Sequence, residues 1–357
     1  MNERRFKMSD RKDLKKTKTL MTRRDFVKTS GLLLGGISLG GIPSNALAQP
    51  ATNWKYYYFT PPLHHDTVTM KEFARDIQAL TNNELQITIY PGGELPYRPT
   101  EAVNIVRDRF VDGAGCVGDF VAGSVPILNL TNLPMLITDL NEMQKAMESF
   151  APYVEKELEK RGIRLLFWHF NSQKCIFGRG EPIEKLEHIK GKKIRTFGVP
   201  DSQFIKRLGA TPVSMPNTEV PTAMQRGVMD AFIASAFFSV GSRWDELCDW
   251  SYLIDMTAIA VYEVISIPSL KKLSAAHSKK LFDTAAKYHT RWNGEIVQLE
   301  KKSRKAMADK GKKMIKISEK DRLEATEIIK PYWEEWANSA GPEAVEALKH
   351  VRNTLKK

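Results

Sequence analysis

Apolar and polar positions recur along this chain with two periods, and the switches between them lay out most of its elements. Trp54 to Phe59 is aromatic and β-prone and stops at Thr60, Pro61 and Pro62, which predicts a first strand. Met70, Phe73, Ile77 and Leu80 follow at helical spacing within 68–80. Leu85 to Tyr90 alternates cleanly as a second strand, and Pro91, Gly92 and Gly93 turn the chain. A helix over 100–109 with Thr100 as its cap and a small apolar strand over 111–117 complete a βαβα opening. That order predicts α/β layers over a partly parallel sheet.

The same alternation continues. Met143, Ala146, Met147, Phe150, Val154 and Leu158 form the inward stripe of a helix over 141–160. Strands are expected at 165–170, 193–196, 209–213 and 230–235, with helices from the Gly198 turn to Leu208 and over 219–227, the last ending on glycine. Beyond Ser274 the chain reads as helix, broken by one late strand over 311–317. No repeat or low-complexity linker divides it, so two domains would be interwoven and joined by crossovers.

The first 48 residues do not belong to this pattern. Arg23 and Arg24 within the run TRRDFVK precede a soft apolar stretch from Gly31 to Ile42, and Ala46, Leu47 and Ala48 offer a small-residue cleavage site before Gln49. At about a dozen glycine-rich residues the stretch is too short for a membrane span of roughly twenty. This predicts a twin-arginine signal peptide over 1–48 and a protein that works in the periplasm, not inserted in the membrane.

Removing that segment changes the charge. Residues 1–48 hold eleven of the 54 Lys and Arg and four of the 42 Asp and Glu, which leaves 43 basic and 38 acidic residues. The remaining excess lies in lysine-rich stretches such as Lys310 to Lys313 and Lys356–Lys357, which fit a solvated helix face better than a nucleic-acid site. Three cysteines, Cys116, Cys175 and Cys248, make no disulfide framework and read as small buried residues.

Catalytic signatures are missing: the sequence has no nucleophile elbow, zinc-protease helix, CxxC pair, phosphate loop or dinucleotide fingerprint. No catalytic residue, metal or cofactor is therefore expected. His64, His65 and Asp66 follow the first strand, where α/β ligand sites lie, but neighbours along an extended chain point to opposite faces. His65 is taken as a ligand contact rather than a metal ligand. Arg195 stands inside a β-prone stretch, where a buried charge must meet an anion. A ligand carboxylate and a domestic Asp or Glu satisfy that requirement equally.

Ordered motifs then carry a resemblance. Phe73, Ala74 and Thr81 lead into LQITIYPGGEL from Leu85 to Leu95; Glu101 and Val106 precede Val111 to Ala114; Asn132, Pro134 and Leu136 follow. The centre is IKGKKIR from Ile189 to Arg195, then Leu208 to Val213, Met215–Pro216, Glu219–Val220 and Ala223 to Asp230. In these residues the chain resembles the DctP-type solute receptors of TRAP (tripartite ATP-independent periplasmic) transporters, over essentially its whole length after the leader.

The resemblance implies a two-lobe α/β solute-binding fold with interwoven lobes, 49–172 with 261–300 and 173–260 with 301–357, and a ligand cleft between them. It implies a receptor that closes on a small organic acid and hands it to membrane permease subunits. The family's carboxylate-binding arginine falls on Arg195, a second basic ligand residue on Lys174, and the residue after the Met-Pro step on Asn217. Departures narrow the ligand. The family's polar contact after Asp230 is Ala234 here, Lys174 lacks the fork of an arginine, and the stretch around Asp112 to Cys116 is small and largely apolar where sialic-acid binders carry an acidic contact. A monocarboxylate with an apolar or aromatic body, against Trp168, Phe170, Phe197, Phe237 and Phe238, fits better than a sugar acid. An exported enzyme and a ligand-sensing receptor are the alternative readings.

Overall fold

The computed structural model describes residues 51–357 apart from Pro216; the arginine pair, the apolar stretch and the cleavage site lie outside the described residues. Eleven strands are described: β1 (Thr52–Tyr57), β2 (Leu85–Tyr90), β3 (Gly113–Val117), β4 (Ile163–Gln173), β5 (Cys175–Gly178), β6 (Lys193–Thr196), β7 (Thr211–Ser214), β8 (Ala231–Ala234), β9 (Trp250–Leu253), β10 (Ala258–Ser266) and β11 (Lys313–Lys316). They form a sheet in the order β2-β1-β3-β10-β4 and another in the order β11-β9-β5-β8-β6-β7. In the first, β1 runs parallel to β2 and β3 while β10 is antiparallel to β3 and β4. In the second, β6 runs parallel to β7 and β8, and β5 is antiparallel to β8 and β9.

Local chemistry explains the helices that join these strands. The helix His65–Leu80 buries Met70, Phe73, Ala74 and Ile77 on one face, and His64 caps it, its Nδ1 accepting from the Asp66 N–H at 3.3 Å. The helix Leu140–Glu159 starts at Asp139, whose Oδ1 accepts from the N–H groups of Asn141 and Glu142 at 2.8 Å each. Thr100 does not cap a helix: it lies inside a 3₁₀ turn, Pro99–Glu101, where the Glu101 carboxylate accepts from the Arg98 N–H, and the helix proper is Ala102–Arg107. All three cysteines are buried and free.

The chain passes between the sheets at Lys174, returns across Ile254–Thr257, and crosses again on the 35-residue helix Ala275–Asp309. The first two passages are bonded to each other: the Lys174 N–H donates to the Thr257 carbonyl at 2.7 Å and the Met256 N–H to the Lys174 carbonyl at 3.0 Å. The long helix packs on β4 early in its course and contributes Met307 to the core of the second sheet. The strand β10 lies wholly in the first sheet, and the last helix, Pro342–Leu355, packs on Leu140–Glu159. That helix, grouped by sequence with the second lobe, therefore rests on an element connecting β3 to β4 of the first sheet.

A polar knot sits in the middle of the first sheet. Glu263 on β10 is fully buried and accepts from Tyr56 Oη at 2.6 Å and Tyr58 Oη at 3.2 Å, with His169 Nε2 at 3.0 Å. The His169 ring stacks on Trp292 of the long helix at 3.9 Å. Tyr56 and Tyr58 must cross β3 to reach Glu263, and β3 has glycine at both crossings. A Cβ at Gly113 would lie 2.4 Å from Tyr56 Cε2, and one at Gly115 2.8 Å from Tyr58 Cε2. Glu263→Ala leaves the Tyr58 phenol and the His169 imidazole without this partner and Tyr56 with only the Ala114 carbonyl at 3.1 Å, and is expected to cost about 3 kcal/mol, with Glu263→Gln costing distinctly less; urea unfolding of both variants checks the order.

Candidate functional site

Arg195 occupies the third position of β6, at the end of the strand where its helix begins, and only 2% of its surface is exposed. Its Nε and Nη2 donate to the Met215 carbonyl at 3.4 and 3.2 Å, and Nη2 donates to Asn217 Oδ1 at 2.6 Å. The guanidinium carbon lies 4.4 Å from the centre of the Phe197 ring and 5.7 Å from that of Trp244. The remaining edge, Nη1, is buried without a partner among the described residues. Burial pulls the Arg195 pKa down to about 10, against the opposing pull of Asp201 and Asp119. A buried guanidinium edge lacking an acceptor is complementary to a carboxylate.

Lys174, at the first passage between the sheets, is fully buried beside this group. Its Nζ donates to Asp119 Oδ2 at 2.6 Å and to both oxygens of Asp201, at 3.1 and 3.3 Å, and lies 5.4 Å from the centre of the Phe197 ring. Asp119 follows β3 in the first sheet, whereas Asp201 lies in the helix Val199–Arg207 that follows β6 in the second. One ammonium thus ties the two halves together. Gly198 lets them approach, since a Cβ there would stand 3.1 Å from Asp119 Oδ1, itself buried and unpaired among the described residues.

Two cations and two carboxylates balance within this cluster. Although burial works against it, the pair of aspartates holds the Lys174 ammonium above the usual lysine range. Asp119 is raised to about 6, by burial first, with Lys174 opposing and Asp201 adding to the rise. One ammonium serves two carboxylates, and Asp119, though it has the shorter contact, keeps Oδ1 buried without a partner among the described residues to offset its burial.

An aromatic wall extends from the cluster. Phe197 approaches Phe120 at 6.4 Å, and Phe120 approaches Phe59 at 6.4 Å. On the other side, Trp244 meets Phe238 edge-on at 5.1 Å, and Phe238 lies 6.0 Å from the His64 ring.

The structure brings Arg195, Lys174, Asn217 and Phe197 together and connects Phe238 to them through Trp244. It places Trp168 and His65 apart from this group, and Ala234 beside it as a buried core residue opposite Cys175, the residue after Lys174. Trp168 packs on His289 at 4.2 Å and on Phe170 within the core. His65 has Nε2 3.6 Å from Glu295 Oε2 and its pKa lowered by burial; it meets the Phe237 ring at 5.8 Å, as the adjacent His64 does at 5.6 Å, and His64 also lies beside Phe238. Two surface hollows, of about 470 Å³ beside Lys71 and Arg75 and about 630 Å³ beside His65 and Glu295, do not include Arg195. The site is assigned from buried, unpaired polar groups and not from open volume. Asp119, Asp201 and Trp244 were not expected from sequence; an acid just beyond the apolar run at 113–117 was the available signal for Asp119.

Comparisons with known proteins bear on this geometry. The family model for DctP, bacterial extracellular solute-binding protein family 7, matches residues 58–339. A solute-binding protein of Albidiferax ferrireducens is 27% identical over 179 residues, covering 50% of this chain and 52% of that protein, so the chain spans about half the length of this curated relative. The crystal structure of DctP7, a Bordetella pertussis extracytoplasmic solute receptor binding pyroglutamic acid, aligns with a TM-score of 0.79 at 22% identity over 85% of this chain and 100% of that one. A TRAP periplasmic solute-binding protein from Desulfovibrio salexigens with bound orotic acid aligns with a TM-score of 0.78 at 18% identity, over 85% and 99%. At these identities the likeness establishes a shared fold.

Asp119 also generates a pH dependence. Its folded value of about 6 lies above the ordinary 3.8, so the folded state holds the extra proton between those values. The contribution is present below about pH 4 and lost as the pH rises through about 6. Asp119→Asn is expected to remove that slope, read as a difference from the parent protein that changes across this window in urea unfolding.

Proposed function

The chain belongs to the DctP family of bacterial extracellular solute-binding proteins, and on that premise we propose that it is the extracytoplasmic receptor of a TRAP transporter. It binds a small organic acid in a cleft between two lobes and delivers it to membrane permease subunits. The observation that carries this reading is the unpaired edge of the buried Arg195 guanidinium, held in place by Asn217 and the Met215 carbonyl. A ligand carboxylate would meet that edge in a place already cleared of water, where a charge-assisted bond is strengthened. Among the described residues no helix is long and apolar enough to cross a membrane, which fits a receptor that meets its permease from outside.

The lobes follow the two sheets, with their passages at Lys174 and at Ile254–Thr257. Closure brings Asp119 of one lobe to Lys174 and Asp201 of the other, so the ion cluster forms only when the lobes meet. The proteins of similar fold hold pyroglutamic and orotic acid, both carboxylic acids on small rings. The flat faces of Phe197 and Trp244 beside Arg195 suit a body of that kind.

Native mass spectrometry of the purified protein should show a co-purifying organic anion, and a library of organic acids should contain at least one that raises its melting temperature. Arg195→Ala is expected to weaken binding of that acid by about 100-fold or more while circular dichroism stays native. Unchanged affinity in that variant would remove Arg195 as the anchor.

A further inference from the structure

Near the Arg195 cluster lies a second set of buried polar groups with open valences. His64 is 7% exposed, Asp66 is fully buried and Asn171 is 8% exposed. They are in contact: Asn171 Nδ2 donates to Asp66 Oδ2 at 3.3 Å, and the same oxygen lies 3.6 Å from His64 Nδ1. Yet His64 Nε2, Asp66 Oδ1 and Asn171 Oδ1 each lack a partner among the described residues. His64 Nδ1 accepts from the Asp66 N–H, which leaves the ring proton on Nε2. The set therefore presents one unused donor and two unused acceptors.

Its position connects it to the anchor. Trp244 faces the Arg195 guanidinium at 5.7 Å, Phe238 meets Trp244 at 5.1 Å, and His64 lies 6.0 Å from Phe238. His64 and Asp66 follow β1 and Asn171 lies on β4, both strands of the first sheet; Arg195 belongs to the second. A continuous aromatic wall thus runs from a cationic anchor on one half to a polar set on the other.

We propose that His64, Asp66 and Asn171 form a second, polar subsite of the cleft that reads a hydroxyl or amide group on the acid whose carboxylate meets Arg195. This rests on the receptor reading above and specifies its ligand: an organic acid with an apolar middle and a hydrogen-bonding group that both donates and accepts. A hydroxyl or an amide can fill the donor and an acceptor together, whereas an alkyl or aryl end leaves all three atoms buried and unpaired. Discrimination of this kind exceeds what an apolar pocket achieves against a missing methylene.

The test is calorimetry on the purified protein with matched acids: straight-chain monocarboxylates of increasing length, the same acids with a terminal hydroxyl or carboxamide, and pyroglutamate against cyclopentanecarboxylate. One substituted acid should bind about tenfold or more tighter than its unsubstituted partner. In Asn171→Leu that preference should shrink to about twofold or less. Should Asn171→Leu fail to fold, His64→Asn, which caps the helix with Oδ1 in place of Nδ1 and removes the Nε2 donor, should show the same loss of preference. Acids that bind through Arg195 with no gain from the polar group would overturn the subsite and leave the anchor standing. If no carboxylate binds, the anchor itself falls, and the subsite with it.

Discussion

Burying the Arg195 guanidinium takes a planar, charged group with five N–H donors out of water, and the surroundings of the cleft follow from that demand. The Met215 carbonyl and Asn217 satisfy one edge, and Phe197 and Trp244 offer their faces to the cation. Asp119 and Asp201 lie close enough to favour its charge, but the cation they bond is Lys174 and neither bonds to Arg195. Had either aspartate turned to Arg195, the guanidinium would be closed in an internal ion pair; Nη1 instead has no partner among the described residues, as the proposed carboxylate anchor requires.

The same lysine lies where the chain crosses between sheets, so its ion pairs sit next to the backbone bonds that join the two passages. A few residues away, Asp255 receives Arg304 of the long helix at 2.5 Å, and Arg304 also donates to Glu300 at 2.6 Å. Glu300 in turn accepts from the Phe237 N–H at 3.0 Å, at the start of the segment carrying Phe238. Passage, long helix and aromatic wall are thereby held in one chain of charged hydrogen bonds. Any displacement of one sheet against the other has to pass through this joint.

Much of the scaffold was legible because the patterns that encode it are local. LQITIY alternates and is β2 to the residue, and KIRT is β6. The strands left unread were β5, β9 and β10: two are four-residue buried runs without alternation, and the third is a nine-residue buried run that contains Glu263. A carboxylate in the middle of a core strand contradicts any hydrophobic pattern until Tyr56, Tyr58 and His169 are known to meet it. Ordered motifs singled out Arg195, Asn217 and Lys174, which the structure brings together around Phe197. Asp119, Asp201 and Trp244 were not, because each acquires its meaning only from residues distant in sequence. His65 and His64 show the limit of spacing arguments: both rings meet Phe237, and a one-residue shift at a helix start decides which reaches Phe238 and which reaches Glu295.

The crossing of Tyr56 and Tyr58 over Gly113 and Gly115 also constrains how this sequence can drift. Neither glycine can acquire a side chain while its tyrosine keeps its ring. Neither tyrosine can shrink without taking a donor from Glu263. Glu263 cannot become apolar without stranding the Tyr58 phenol and the imidazole of His169 and taking from Tyr56 the shorter of its two hydrogen bonds. Each single step leads downhill in stability, so the five residues on β1, β3 and β10 and just beyond β1 can exchange only as a set. Among relatives of this chain they should be inherited together or replaced together, a linkage that the separable contacts around Arg195 do not impose on one another.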